Sequence, residues 1–169
     1  MKKTLIAVAC AVVLLLAGCT PQSSGKQKNP EELTALYTAA ITEARSQEEN
    51  DSTPIATTAD DEQAEMVFPL IDFAHEDAEA YAISISPWNV SAYGIAVIKP
   101  AEGKKDKVLA GLNTFVDNQQ RAFEFYLPDQ YENAKNAKVS ELKDGTLVLV
   151  MCKNSDEVLQ SITKKVLGE

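Results

Sequence analysis

Residues 80–99, AYAISISPWNVSAYGIAVIK, contain the pattern that decides the fold. The segments 80–86 and 93–99 are rich in β-branched and aromatic side chains and alternate in polarity, which is typical of strands. The six residues between them, PWNVSA, are long enough to connect two antiparallel neighbours. The stretch therefore predicts a β-hairpin whose connection carries Trp88, the only tryptophan of the chain.

A second hairpin and a long helix are predicted after this one. Residues 138–142 and 146–152 flank KDG, a turn sequence that favours a hairpin. Residues 105–126 repeat apolar side chains every three to four positions, which predicts an amphipathic helix. Pro128 ends this helix and can begin a short one through residue 134. The expected buried stripe of the long helix consists of Val108, Leu112, Phe115, Gln119, Ala122 and Tyr126, widened by Leu109, Val116 and Phe123.

Three further helices complete the predicted order. Asn29, followed by a proline and two acids, is a good helix cap, and residues 30–44 continue with helical spacing. Residues 61–74 form a second helix in which Pro69 requires a kink or an early stop, and residues 154–166 form the last. Residues 47–61 lose this periodicity and are expected to be an exposed connection.

The order α-α-β-β-α-β-β-α predicts an α+β fold. We expect a mostly antiparallel four-stranded sheet with helices covering one face. Residues 30–169 are enough for one domain with a single core. No internal repeat is evident in the sequence.

The N-terminal residues have the features of a secretory signal. Lys2 and Lys3 precede an apolar run at residues 5–17, which is too short to span a bilayer. The run ends at Leu16-Ala17-Gly18-Cys19, which resembles the lipobox of bacterial lipoproteins. The resemblance implies cleavage between Gly18 and Cys19, a diacylglycerol on the Cys19 thiol, and attachment to the extracytoplasmic face of the cell membrane. The alternatives are a secretory signal with an incidental cysteine and an uncleaved anchor.

Under this interpretation the chain has three parts: residues 1–18 as a signal peptide, residues 19–29 as a lipid-anchored flexible linker, and residues 30–169 as the domain. The linker is polar and rich in Ser, Gly and Pro, and about ten such residues reach roughly 18 Å. Removal of the signal peptide takes the formal charge from −9 to −11. Such an acidic body excludes nucleic acid as a partner and is repelled by anionic headgroups.

Residues that commonly carry chemistry are few. His75 lies near Asp72, Glu76 and Asp77, but one imidazole among mobile carboxylates is too little for zinc, and a solvated helix end is expected. Ser84 and Ser86 lack the sequence context of a nucleophile. With the signal peptide removed and Cys19 acylated, Cys152 has no disulfide partner and is expected to be a small buried side chain. We therefore expect no metal site, no cofactor and no enzymatic activity.

Two aromatic segments are candidates for surface roles. Trp88 and Tyr93, in the first hairpin connection, form the candidate partner-binding loop, since an exposed aromatic side chain is a common interface anchor. The alternative is that Trp88 folds back over the sheet. In YLPDQY, residues 126–131, the two tyrosines are expected to close the corner between two helices.

The segments EAYAISISPWNVSAYGIAVIK, YLPDQY, AKNAKV and GTLVLVMC resemble a family of bacterial lipoproteins that carry a domain of unknown function. The resemblance covers roughly residues 61–167. It implies membrane attachment and a shared fold but no assigned activity.

The expected function is that of a binding or assembly module, lipid-anchored on the outer face of the cell membrane, which recognises an unknown envelope protein or small ligand. Two alternatives remain open. One is a small-ligand-binding accessory protein of a transporter, although about 150 residues are few for two lobes that close on a ligand. The other is an envelope enzyme without a recognisable motif.

Overall fold

The computed structural model describes residues 28–169. The expected signal peptide, the lipobox with Gly18 and Cys19, and linker residues 19–27 lie outside the described residues. In chain order the elements are α1 (Pro30–Ala44), α2 (Gln47–Ser52), α3 (Glu62–Val67), β1 (Ala78–Ile85), β2 (Gly94–Pro100), α4 (Lys105–Phe123), α5 (Pro128–Lys135), β3 (Lys138–Glu141), β4 (Leu147–Met151) and α6 (Ser155–Leu167).

The predicted α+β class is confirmed. The four strands form one antiparallel sheet in the order β1-β2-β4-β3. Both hairpins form as predicted, with Ile83 opposite Ala96 in the first and Ser140 opposite Val148 in the second. Gly145 has φ 81° in the second turn, a conformation that glycine adopts without steric cost.

Helices cover both faces of the sheet, so the expectation of one covered face is wrong. The reason is visible in β2 and β4, where residues 94–98 and 147–151 are buried without interruption. A strand that is apolar on both faces must be covered on both. The first core, under α3, α4 and α5, contains Val67, Ile71, Ile83, Ile98, Val108, Leu112, Phe115 and Phe123. The second core, under α1 and α6, contains Tyr37, Ile41, Ile95, Val97, Val150, Val158 and Ile162.

Both cores are built from residues between 33 and 167. The described part therefore contains the apolar surfaces that stabilise it. We expect a protein beginning at Lys28 to fold without the preceding residues.

The expected connection at residues 47–61 differs from the structure. Ser46 and Glu49 form a reciprocal capping box that starts the short helix α2. Ala56 is buried and pairs with Ile83 of β1 through two backbone hydrogen bonds of 2.7 and 3.0 Å. Local capping and a single bridge, neither of which produces a long periodic pattern, give this segment its structure.

The second predicted helix is shorter than expected. α3 ends at Val67, and a 3₁₀ turn, Phe68–Leu70, contains Pro69. The following residues pack against α4, where a Cβ on Gly111 would lie 2.3 Å from the carbonyl oxygen of Ile71. This close approach requires glycine. No helix within residues 28–169 has both the length and the apolar character needed to cross a membrane.

Helix α1 runs along the sheet from the start of β4 towards the end of β1. At the middle of α1, the Tyr37 hydroxyl lies 2.9 Å from Oγ1 of Thr146, which directly precedes β4, and burial raises the pKa of Tyr37 to about 12. Just after α1, Arg45 reaches Ser84, near the end of β1. The chain therefore enters the domain at one end of the sheet, and the connection between β1 and β2 lies at the other end.

Candidate functional site

Four large apolar side chains are exposed on two short segments. In the β1–β2 connection, Trp88 is 71% exposed and Val90 57%. Between α4 and α5, Phe125 is 93% exposed and Tyr126 63%. Met66 of α3, 44% exposed, is the other large hydrophobic residue that is exposed within residues 28–169. We call Trp88, Val90, Phe125 and Tyr126 the aromatic edge.

The first segment is a short connection with a fixed base. The Ser86 N–H donates to the Tyr93 carbonyl at 3.1 Å, which closes the hairpin ladder. At the tip, the Ser91 N–H donates to the Trp88 carbonyl at 3.3 Å. The backbone is thus turned back on itself, and it presents Trp88 and Val90 outward.

The second segment is formed because α4 ends earlier than its sequence pattern predicts. The N–H groups of Tyr126 and Leu127 both donate to the Phe123 carbonyl, at 3.1 and 3.3 Å. Phe123 and Leu127 pack into the first core, while Phe125 and Tyr126 between them face solvent. Pro128 then begins α5.

A hydrogen bond joins the two segments. The N–H of Ala92, four residues after Trp88, donates to Oε1 of Gln130 at 3.0 Å. Gln130 lies in the first turn of α5, four residues after Tyr126. Ala92 is itself buried in the first core together with Phe123. The aromatic edge is therefore carried by two neighbouring segments at one end of the sheet.

Arg45 fixes the base of the β1–β2 connection from the other face. Its Nη1 donates to Ser84 Oγ at 2.6 Å and to the Tyr93 hydroxyl at 3.2 Å, and its Nε donates to Asn50 Oδ1 at 2.6 Å. Burial raises the pKa of Tyr93 to about 12, and the hydrogen bond and charge of Arg45 oppose this rise.

Tyr93 does not belong to the exposed loop, in contrast to the sequence-based expectation. Its ring is buried in the second core, and its hydroxyl faces Arg45. Trp88 is exposed, so it does not fold back over the sheet. The structure separates these two residues because Tyr93 directly precedes β2, where alternating side chains enter opposite cores.

The residues around His75 serve a structural purpose. His75 Nδ1 lies 3.2 Å from a carboxylate oxygen of Glu76, and both side chains are largely exposed. Asp77 instead points inward and is paired with Lys104 and Lys107. The Lys107 ammonium and the Ala74 N–H hold the pKa of Asp77 well below its usual range. Within residues 28–169 no group of three or more His, Cys, Asp and Glu side chains is placed to hold a metal ion.

Ser84 and Cys152, which carry the hydroxyl and thiol considered as nucleophiles, are held by hydrogen bonds and burial. The Ser84 hydroxyl accepts from Arg45 and donates to the Thr53 carbonyl at 2.9 Å. Cys152 is buried, and this burial raises the pKa of its thiol. The neighbouring Ser155 hydroxyl donates to the Cys152 carbonyl at 2.8 Å. These contacts hold strand ends and a helix start in place.

The expectation for the tyrosine corner is wrong for Tyr126, which is exposed, while Tyr131 packs against the first core. The functional candidate that the sequence analysis missed is Phe125. Its position relative to Phe123 contained the signal, because residues two apart on a helix lie on nearly opposite faces. Phe125 is therefore a large aromatic residue on the polar face of the predicted helix, opposite the buried stripe.

A family model for a domain of unknown function (DUF4358) matches residues 55–152. The chain belongs to this family. The match begins in the segment that bridges to β1, ends just after β4, and includes both segments of the aromatic edge. Helices α1 and α6, which cover the second core, lie outside it, although the expected resemblance extended to residue 167. Comparison with curated proteins and with solved structures gives no match.

Proposed function

We propose that this protein is a lipid-anchored binding module on the extracytoplasmic face of the cell membrane, and that it docks a partner protein through the aromatic edge. The observation that carries the binding role is the exposure of four large apolar side chains on two adjoining segments. Single exposed apolar side chains are ordinary, whereas several gathered on adjoining segments mark interaction sites. Tryptophan and tyrosine are also enriched among the residues that dominate binding energy.

The position of the aromatic edge favours a partner protein over the membrane to which the chain is attached. The proposed linker, residues 19–29, ends at Asn29, which caps the start of α1. The 15 residues of α1 span about 22 Å, and the helix ends beside the base of the β1–β2 connection. The start of α1, where the proposed linker attaches, and the aromatic edge therefore lie at opposite ends of the domain.

The lipid anchor is proposed from the sequence of residues 2–19. A positive start, an apolar run and small residues before Cys19 together match the requirements of lipoprotein processing. Two acyl chains on one residue give durable attachment, since each buried methylene contributes about 0.8 kcal/mol.

The anchor is tested by replacing its acyl acceptor. Cys19→Ala should abolish incorporation of a palmitate analogue and leave the precursor unprocessed, while Cys10→Ala should change neither. Equal labelling of the Cys19→Ala chain and the wild type excludes the anchor.

The binding role is tested with three full-length chains expressed in the native host. These are the wild type, Trp88→Ser/Phe125→Ser, and Met66→Ser as a control that removes an exposed apolar side chain elsewhere. After crosslinking in intact cells and quantitative mass spectrometry, we expect one or a few partners to be depleted in the double variant and retained in Met66→Ser. Identical partner profiles for all three chains contradict docking through the aromatic edge.

A further inference from the structure

We infer that the partner presents an apolar patch rimmed by lysine or arginine side chains. This inference rests on the binding function proposed above. It follows from the distribution of charges around the aromatic edge and from the partners that those charges exclude.

Unpaired acids border the aromatic edge. Glu124, which directly precedes Phe125, lines a polar cleft of about 340 Å³ together with Asp117, Gln120 and Arg121 of α4 and Tyr131 of α5. Asp129 lies in the first turn of α5. Within residues 28–169 none of these three carboxylates takes part in an ion pair.

Basic side chains near this rim do not neutralise it. Arg121 is one cation among three carboxylates. Lys135 is already paired with Glu132 at 3.1 Å, with its ammonium 5.4 Å from the centre of the Tyr131 ring. The rim of the aromatic edge therefore carries net negative charge.

This charge opposes two other possible occupants. An anionic membrane surface would be repelled by the rim. A second copy of the chain, docked about a two-fold axis, would bring the same acids against each other. A protein with a basic rim would instead be attracted by these carboxylates. Its apolar centre would supply most of the affinity, and its charges would mainly raise the association rate and make it sensitive to salt.

The test selects binders without assuming a partner. A phage-displayed library of random 12-residue peptides is panned on a protein beginning at Lys28 and counter-selected on its Trp88→Ser/Phe125→Ser variant. We expect the recovered peptides to combine aromatic or aliphatic residues with an excess of Lys and Arg. Neutralising the rim in Asp117→Asn/Glu124→Gln should weaken the best peptide roughly threefold to tenfold at low salt, and less at high salt. The matched control Glu102→Gln/Asp106→Asn removes two exposed acids beside the start of α4, at the other end of the sheet, that take part in no ion pair within residues 28–169, and it should leave the affinity unchanged.

The outcomes separate this inference from the proposed function. Peptides that need the aromatic edge but are neutral or acidic, or whose affinity is the same in the rim and control variants, overturn the basic-rim inference alone. Recovery of no peptide that depends on the edge contradicts docking through it. Two parallel measurements complete the test. Edge-dependent binding to vesicles of 30% phosphatidylglycerol in phosphatidylcholine, or a dimer in sedimentation that Phe125→Ser abolishes, would replace the basic partner with a membrane or a second copy.

Discussion

The backbone N–H of Ala92 donates a hydrogen bond of 3.0 Å to Oε1 of Gln130, and this contact joins the two segments of the aromatic edge. The residues concerned are 38 positions apart in the chain. Because Ala92 is buried, its N–H has no easy alternative partner in solvent. The bond therefore fixes the β1–β2 connection against the start of α5.

Removing this acceptor should loosen the edge. Gln130→Ala leaves a buried N–H unpaired, which we expect to cost about 1–3 kcal/mol of unfolding free energy. Hydrogen exchange at the Ala92 amide should accelerate. Gln130→Glu keeps an acceptor oxygen but replaces the amide N–H that donates to Asp129 Oδ2 at 2.9 Å, so it should restore the protection only in part. Unchanged exchange at Ala92 in Gln130→Ala would show that the bond does not hold the loop.

Because helices cover both faces of the sheet, truncating a buried side chain in either core should lower stability by a similar amount. Ile41 of α1 and Leu112 of α4 are both fully buried, on opposite faces. Truncation of either to Ala should cost about 2–5 kcal/mol. Asp117→Ala, on the exposed side of α4, should change stability by less than about 0.5 kcal/mol. These values are measured by denaturant unfolding, and a near-neutral Ile41→Ala would mean that α1 does not cover the sheet.

Asp77 makes the stability depend on acid pH. Its pKa is held well below the usual value, so the native state stays deprotonated where the unfolded chain, with a carboxyl pKa of about 3.9, already binds a proton. The contribution is complete above about pH 4 and is lost as the pH falls. Thermal melts between pH 5 and pH 2 should therefore show a smaller decline for Asp77→Asn than for the wild type. Asp156→Asn, which removes an exposed ion pair, should follow the wild-type profile.

Because Trp88 is the only tryptophan, the tryptophan fluorescence of the protein reports on the environment of this one side chain. Its exposure predicts red-shifted emission that acrylamide quenches efficiently. Trp88→Ala should leave the unfolding free energy within about 0.5 kcal/mol of the wild type. Blue-shifted, protected emission together with a lower melting temperature would place Trp88 in the core.

The periodic elements were predictable from the sequence because their burial leaves a repeating pattern. Both hairpins, α1, α4, α5 and α6 were predicted with ends close to those observed. The patterns of β2 and β4 also indicated coverage on both faces, since neither strand has a polar side to give to solvent. The expectation of one covered face overlooked this feature.

The aromatic edge was only partly predictable. The sequence points to Trp88 by its place in a hairpin connection, but the burial of Tyr93 depends on Arg45, 48 positions away. The periodicity predicts Tyr126 in the buried stripe because it gives no sign that α4 ends at Phe123. Where a helix ends and which connections meet depend on tertiary contacts, which a single sequence does not display.

The most direct test of docking through the aromatic edge is site-specific photocrosslinking in living cells. A benzophenone amino acid is placed at Phe125 of the full-length chain, and at exposed Gln160 of α6 as the control. We expect irradiation to give a discrete protein adduct from position 125 and none from position 160. The adduct should disappear when Trp88→Ser is added. Absence of an adduct at position 125, or the same adduct at position 160, would contradict docking at this edge.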